Sequence, residues 1–119
     1  MADTKTERIA ATWHPLKDLD APLRWQEARH AEVVDDLFQD QVPDAVISRV
    51  FAVMAATEHT YQVRTEQHDR MHALLACPEF ADRVRDESVG WYGAALRTDW
   101  PLPNVRLGVS EDQTQGGPG

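Results

Sequence analysis

Along the first third of the chain the apolar residues Leu23, Ala31, Val34, Leu37 and Phe38 fall at intervals built from threes and fours, a spacing that predicts an amphipathic helix. Asp20, Ala21 and Pro22 stand just ahead of it, an acceptor at the cap followed by a proline whose missing amide does no harm there. Pro43 and Asp44 restart the pattern, with Ile47, Val50, Phe51 and Met54 on one face of a second helix. Neither Gly nor Pro then occurs before Pro78, yet an unbroken helix from 43 to 76 would be a rod of roughly 50 Å at 1.5 Å per residue. A break is therefore expected near Thr57 to Thr60, where threonines flank Glu58 and His59. A third helix would carry Tyr61, Val63, Met71, Leu74 and Leu75, and a fourth, opening at Cys77 and Pro78, would face Phe80, Val84, Trp91 and Ala95 inward. Past Trp100, Pro101 and Pro103 the alternation through Val105 to Val109 suits a short strand or an extended docking segment.

The fold expected from this pattern is all-α, about four helices in one small domain. Residues 1–19, largely polar with Trp13 and Leu16 as the plausible anchors, read as an extended arm, 20–109 as the helical domain, and 110–119, ending Gln-Gly-Gly-Pro-Gly, as a disordered tail. A length of 119 residues fits one core, and 42% apolar with 27% charged residues is an ordinary globular balance.

A net charge of -8 sets the long-range field against phosphate backbones and anionic lipid, so neither nucleic acid nor a membrane surface is expected as partner. No stretch approaches the roughly 18 to 20 apolar residues of a membrane span, and the N-terminus lacks a signal-peptide pattern. One cysteine, Cys77, excludes an internal disulfide and a multi-cysteine metal site, which points to a cytoplasmic protein. Glycine-rich phosphate loops and nucleophile elbows are absent, so the chain is expected not to be an enzyme by itself.

Two constellations remain. Glu27 and His30 have the Glu-x-x-His spacing that puts two metal ligands on one helix face, and His68 with His72 have the i, i+4 spacing of a helical chelate. Together with Glu58, His59 and Glu66 they define an alternative reading, a helical metal-binding protein. The four tryptophans, Trp13, Trp25, Trp91 and Trp100, are either core or contact residues; Trp13 and Trp100, in non-helical segments, are the better contact candidates.

The run from Leu16 through Asp18, Leu19 and Pro22 to Trp25 and Gln26, then Ala31, Val33 and Val34, resembles the start of the small activator proteins of nitrile hydratases. Those proteins are similar to the N-terminal helical domain of the nitrile hydratase β subunit and to a small subunit of thiocyanate hydrolase. Arg49 and Met54, then Tyr61 and Arg64 before Leu74 and Leu75, follow in the same order. A fainter likeness to the α subunit lies in Cys77 to Phe80 and Leu102 to Leu107, without that subunit's metal-binding cysteine cluster. The resemblance implies a non-catalytic accessory, an activator or metallochaperone-like small subunit. It would bind a cysteine-rich α-type subunit while cobalt or non-haem iron is loaded there, and would hold no cofactor of its own. Under it the partner-binding residues are Trp13, Trp25, Arg49, Tyr61, Arg64 and Trp100. A generic helical interaction module is the third reading.

Overall fold

The structure, a computed structural model, describes residues 9–93 and 100–109. Its elements are β1 (Ile9–Trp13), α1 (Ala21–Arg24), β2 (Arg29–Val33), α2 (Asp44–Ala55), β3 (Thr60–Thr65), α3 (His68–Leu75), α4 (Pro78–Tyr92) and β4 (Val105–Val109). The four strands form one parallel sheet in the order β1-β2-β3-β4. The expectation of an all-α fold is therefore corrected to α/β. Each strand lies beside the one before it, so every connection crosses over in the same sense, and the right-handed preference of such crossovers stacks the helices on a single face.

Side-chain alternation explains both the sheet and its misreading as helix. In β2 the sequence Arg-His-Ala-Glu-Val buries Ala31 and Val33 and exposes His30 and Glu32, a period of two across only five residues. Ala31, Val34, Leu37 and Phe38 also satisfy a helical spacing by coincidence, because the chain leaves the strand at Val34 and turns back through Leu37 and Phe38. The predicted first helix thus shrinks to the single turn α1. The predicted third helix divides into β3, with Tyr61, Val63 and Thr65 buried, and α3. The arm is corrected too, since Ile9–Trp13 is the edge strand paired with β2.

The other expectations meet mixed outcomes. The second helix is present as α2, and the break falls between Ala55 and Thr60 as expected, although a strand follows it. The fourth helix is α4, entered through Cys77 and Pro78 and ended by Gly93 at φ 65°, the left-handed conformation that glycine adopts without steric cost. Its Phe80 and Val84 face inward, whereas Trp91 is 64% exposed; Ala95 and the expected tail, 110–119, lie outside the described residues. The extended segment at 105–109 is β4.

α2 is apolar around most of its circumference, with Ile47, Val50, Phe51, Val53 and Met54 all buried, which suits a helix enclosed between the sheet and α4. Phe51 sits at the centre, with ring contacts to Phe38 at 6.3 Å, Phe80 at 5.8 Å and Trp100 at 6.1 Å. Asn104 fastens the C-terminal end of α2 to the sheet: its Nδ2 donates to the carbonyls of Met54 (3.0 Å) and His59 (2.8 Å), and its own carbonyl accepts from the Tyr61 amide. No helix among the described residues is long and apolar enough to cross a membrane.

Candidate functional site

With the helices on one face, the strands turn a second row of side chains the other way: Thr12, His30, Glu32, Thr60, Gln62, Arg64 and Arg106, together with Gly108. Thr12, Glu32, Gln62 and Arg106 are in register across all four strands. This face is polar and charged, which is unusual for an all-parallel sheet, whose two faces are ordinarily both covered by apolar packing. On it Arg64 Nη1 donates to Glu32 Oε2 at 2.6 Å, both side chains about half exposed, and His30 Nδ1 lies 2.8 Å from Thr60 Oγ1.

At the carboxyl ends of β2 and β3 the face opens into a cleft of about 460 Å³, lined by Glu32, Val33, Val34, Asp36, Gln39, Arg64 and Glu66. Parallel α/β sheets bind ligands at that end of their strands, where the strand-to-helix loops gather. The loop from Val34 to Pro43 is held in place by its own chemistry. Asp36 Oδ1 accepts from the Phe38 amide (3.1 Å) and the Thr65 hydroxyl (2.6 Å), an aspartate turn that ties the end of β2 to the end of β3. Arg70, reaching over from α3, donates to the carbonyls of Phe38, Gln39 and Val42 and to the Asp44 carboxylate. The rim is thereby fixed while Glu32, Arg64 and Glu66 present polar atoms to the opening.

A second hollow of about 300 Å³ lies at the opposite end of the sheet, bounded by Trp25, Gln26, Glu27, Glu58 and His59 among others. Its polar centre is already engaged: His59, buried, accepts the Arg29 amide at Nδ1 (3.1 Å), and its Nε2 lies 3.0 Å from the Pro22 carbonyl. Trp25 covers that ring edge-on at 4.9 Å and carries the Arg29 guanidinium over its own face. These contacts join α1 to the start of β2 and β3.

The residues singled out from sequence are dispersed. Trp13 is 1% exposed, its indole N–H donating to the Asp18 carbonyl at 2.8 Å, and Tyr61, equally buried, packs beside it with the rings tilted at 50° and 5.4 Å between centroids. Burial raises the Tyr61 hydroxyl well above its ordinary pKa, and the Thr57 hydroxyl at 2.6 Å opposes that shift. Tyr61 and Arg64 do not share a face, because three residues along a strand reverse the side: Tyr61 enters the core and Arg64 the cleft. Trp100 packs on Phe51 and Phe80 and donates to the Leu75 carbonyl. Arg49 lies over the exposed Trp91 ring at 4.5 Å, and Trp25 is half buried.

The metal alternative meets the same dispersal. Glu27 precedes β2 and His30 lies on it, so the helix face they were to share does not exist; His68 and His72 do occupy one helix, α3. No group of three or more His, Cys, Asp or Glu side chains able to hold a metal ion occurs among the described residues. Cys77 caps α4, its thiol donating to Glu79 Oε1 at 3.1 Å, and this contact lowers the Glu79 pKa. Glu32, Asp36 and Arg70 were not singled out and Glu66 was named only for the metal alternative; only knowledge that β2 and β3 are adjacent parallel strands would have joined them.

The family profile of DUF5131, described as a protein of unknown function, matches residues 2–117. The chain belongs to the DUF5131 family. No curated protein and no solved structure matches it. Membership in DUF5131 carries no link to the nitrile hydratase activators, whose resemblance implied a helical domain where this chain has a sheet.

Proposed function

We propose that this domain binds a small polar ligand in the cleft at the carboxyl ends of β2 and β3, with Glu32, Arg64 and Glu66 as its recognition groups. The observation that carries the reading is the Glu32–Arg64 pair, exposed on the face away from the described helices and opening directly into that cleft. An exposed ion pair contributes little to stability, generally under about 1 kcal/mol, so folding alone gives little reason for two such groups on a parallel sheet face. A ligand that inserts between them meets an acceptor and a donor fork already oriented, over a rim held by Asp36 and Arg70.

The test is a thermal-shift panel of small amines, carboxylates, sugars and phosphates against the native chain and the Glu32→Gln and Arg64→Gln variants. Concentration-dependent stabilisation by one compound class, lost in either variant, is expected. Equal shifts in all three proteins would reject the cleft as the site.

A further inference from the structure

Beside the cleft, on β4, the sheet face changes sign. Gln62 and Arg106 are opposite each other in register, and Arg64 is opposite Gly108 one step further toward the carboxyl end. With strands about 4.8 Å apart and about 3.3 Å rise per residue, the Cα atoms of the diagonal neighbours Arg64 and Arg106 are separated by roughly 8 Å, within the reach of two guanidinium groups toward one small ion. Arg106 is exposed and has no carboxylate partner among the described residues, and Arg64 has one, Glu32. Between them Gly108 leaves the floor open. A Cβ there would stand 3.4 Å from Gln62 Nε2, so the Gln62 side chain lies along this gap on the same face as the two arginines. A glycine within a strand allows close approach to the backbone.

The donors here outnumber the acceptors. Arg106 offers five N–H groups, Gln62 has an amide NH₂ lying over the glycine gap, and the Arg64 fork is only partly used by Glu32. At the strand positions of this face Arg64 and Arg106 oppose Glu32 alone, in a chain whose net charge is -8. A planar or tetrahedral oxyanion complements this arrangement, because guanidinium forks match two oxygens at once.

We propose that Arg106, Gln62 and Arg64, over the floor at Gly108, form an anion subsite for a carboxylate or phosphate group. It rests on the cleft reading in one respect: the anion would be one end of the ligand whose other end lies against Glu32 and Glu66. Charge itself separates the two regions, since the β2 and β3 rim carries Glu32, Asp36 and Glu66, whereas Arg106 stands on β4 with Arg64 of β3 between it and Glu32.

The experiment is an amide and guanidinium NMR titration of the full chain with inorganic phosphate and, separately, with acetate. It is run on the native protein and on Arg106→Gln, Arg106→Lys and Glu32→Gln, at constant ionic strength set with chloride. Saturable shifts centred on Gln62, Arg106 and Gly108 are expected with at least one of the two anions. Affinity should fall at least tenfold in Arg106→Gln, fall partially in Arg106→Lys and persist in Glu32→Gln. Phosphate alone, acetate alone or both would fix which oxyanion geometry the subsite accepts. Shifts that do not saturate, or that survive unchanged in Arg106→Gln, overturn the subsite. Saturable binding at Arg106 with no compound of the thermal panel depending on Glu32 would sustain the subsite and reject the cleft; the converse pattern would reject the subsite alone.

Discussion

Arg70→Ala should loosen the loop that shapes the cleft and destabilise the fold, by an amount that can be worked from the contacts. The guanidinium donates to three main-chain carbonyls, of Phe38, Gln39 and Val42, and to Asp44, with its side chain 23% exposed. The Asp44 carboxylate is well exposed, so that ion pair contributes little. The carbonyl contacts are charge-assisted, each worth about 1.5 to 3 kcal/mol when fully buried, but a loop that can rehydrate recovers much of this. A net loss of about 2 to 3 kcal/mol remains as the expectation. At roughly 4 °C per kcal/mol for a domain of this size, that is a fall in Tm of about 8 to 12 °C. Arg70→Lys, which keeps the charge but not the fork, should lose about half as much. Chemical denaturation gives the energies, and hydrogen exchange of the Phe38 amide gives the loop. A change under about 0.5 kcal/mol in Arg70→Ala, with Phe38 protection intact, would refute the view that this residue holds the rim.

His59→Phe keeps the ring but loses the contacts at Nδ1 and Nε2, and should cost about 2 kcal/mol in urea denaturation, with increased exchange at Arg29. Asn104→Leu strips the Met54 carbonyl at the end of α2 and the His59 carbonyl just before β3 of their donor, with a loss of about 2 to 3 kcal/mol by the same measurement. For Tyr61, the folded pKa is raised above the unfolded one, so its contribution is complete below about pH 10 and fades as pH climbs past it. Tyr61→Phe should therefore move the alkaline unfolding midpoint upward, read by circular dichroism. Removing the thiol in Cys77→Ala should bring the Glu79 carboxyl back up toward its ordinary pKa in a carbon-detected NMR titration.

Sequence reasoning reached the elements whose signals are local. α2 and α4 are each marked by a proline at the start and a sustained helical spacing, and β4 by an alternating run after two prolines. β2 and β3 escaped because their buried residues are few and their exposed positions carry charge, so that His30, Glu32, Gln62 and Arg64 resemble the polar side of a helix. A parallel sheet is especially hard to infer in this way, since its partners are separated by whole crossovers: Arg64 meets Glu32 thirty-two residues away. The same separation hid the cleft. Arg64 was singled out as a contact residue on a helix, and the strand places it instead opposite Tyr61, facing the opening. Aromatic residues gave the weakest guide, for Trp13, on an edge strand, fills the core and Trp100, in a connection, packs against it, while Trp91, assigned inward, faces solvent.

The most direct test of the account is a structure of the chain with the strongest stabilising compound of the thermal panel. The account predicts that compound in the cleft between β2 and β3, within hydrogen-bonding distance of Glu32 or Arg64, on the face away from α2 and α4. Well-defined binding in the hollow beside Trp25 and His59, or against the helices, with the Glu32–Arg64 pair untouched, would contradict it.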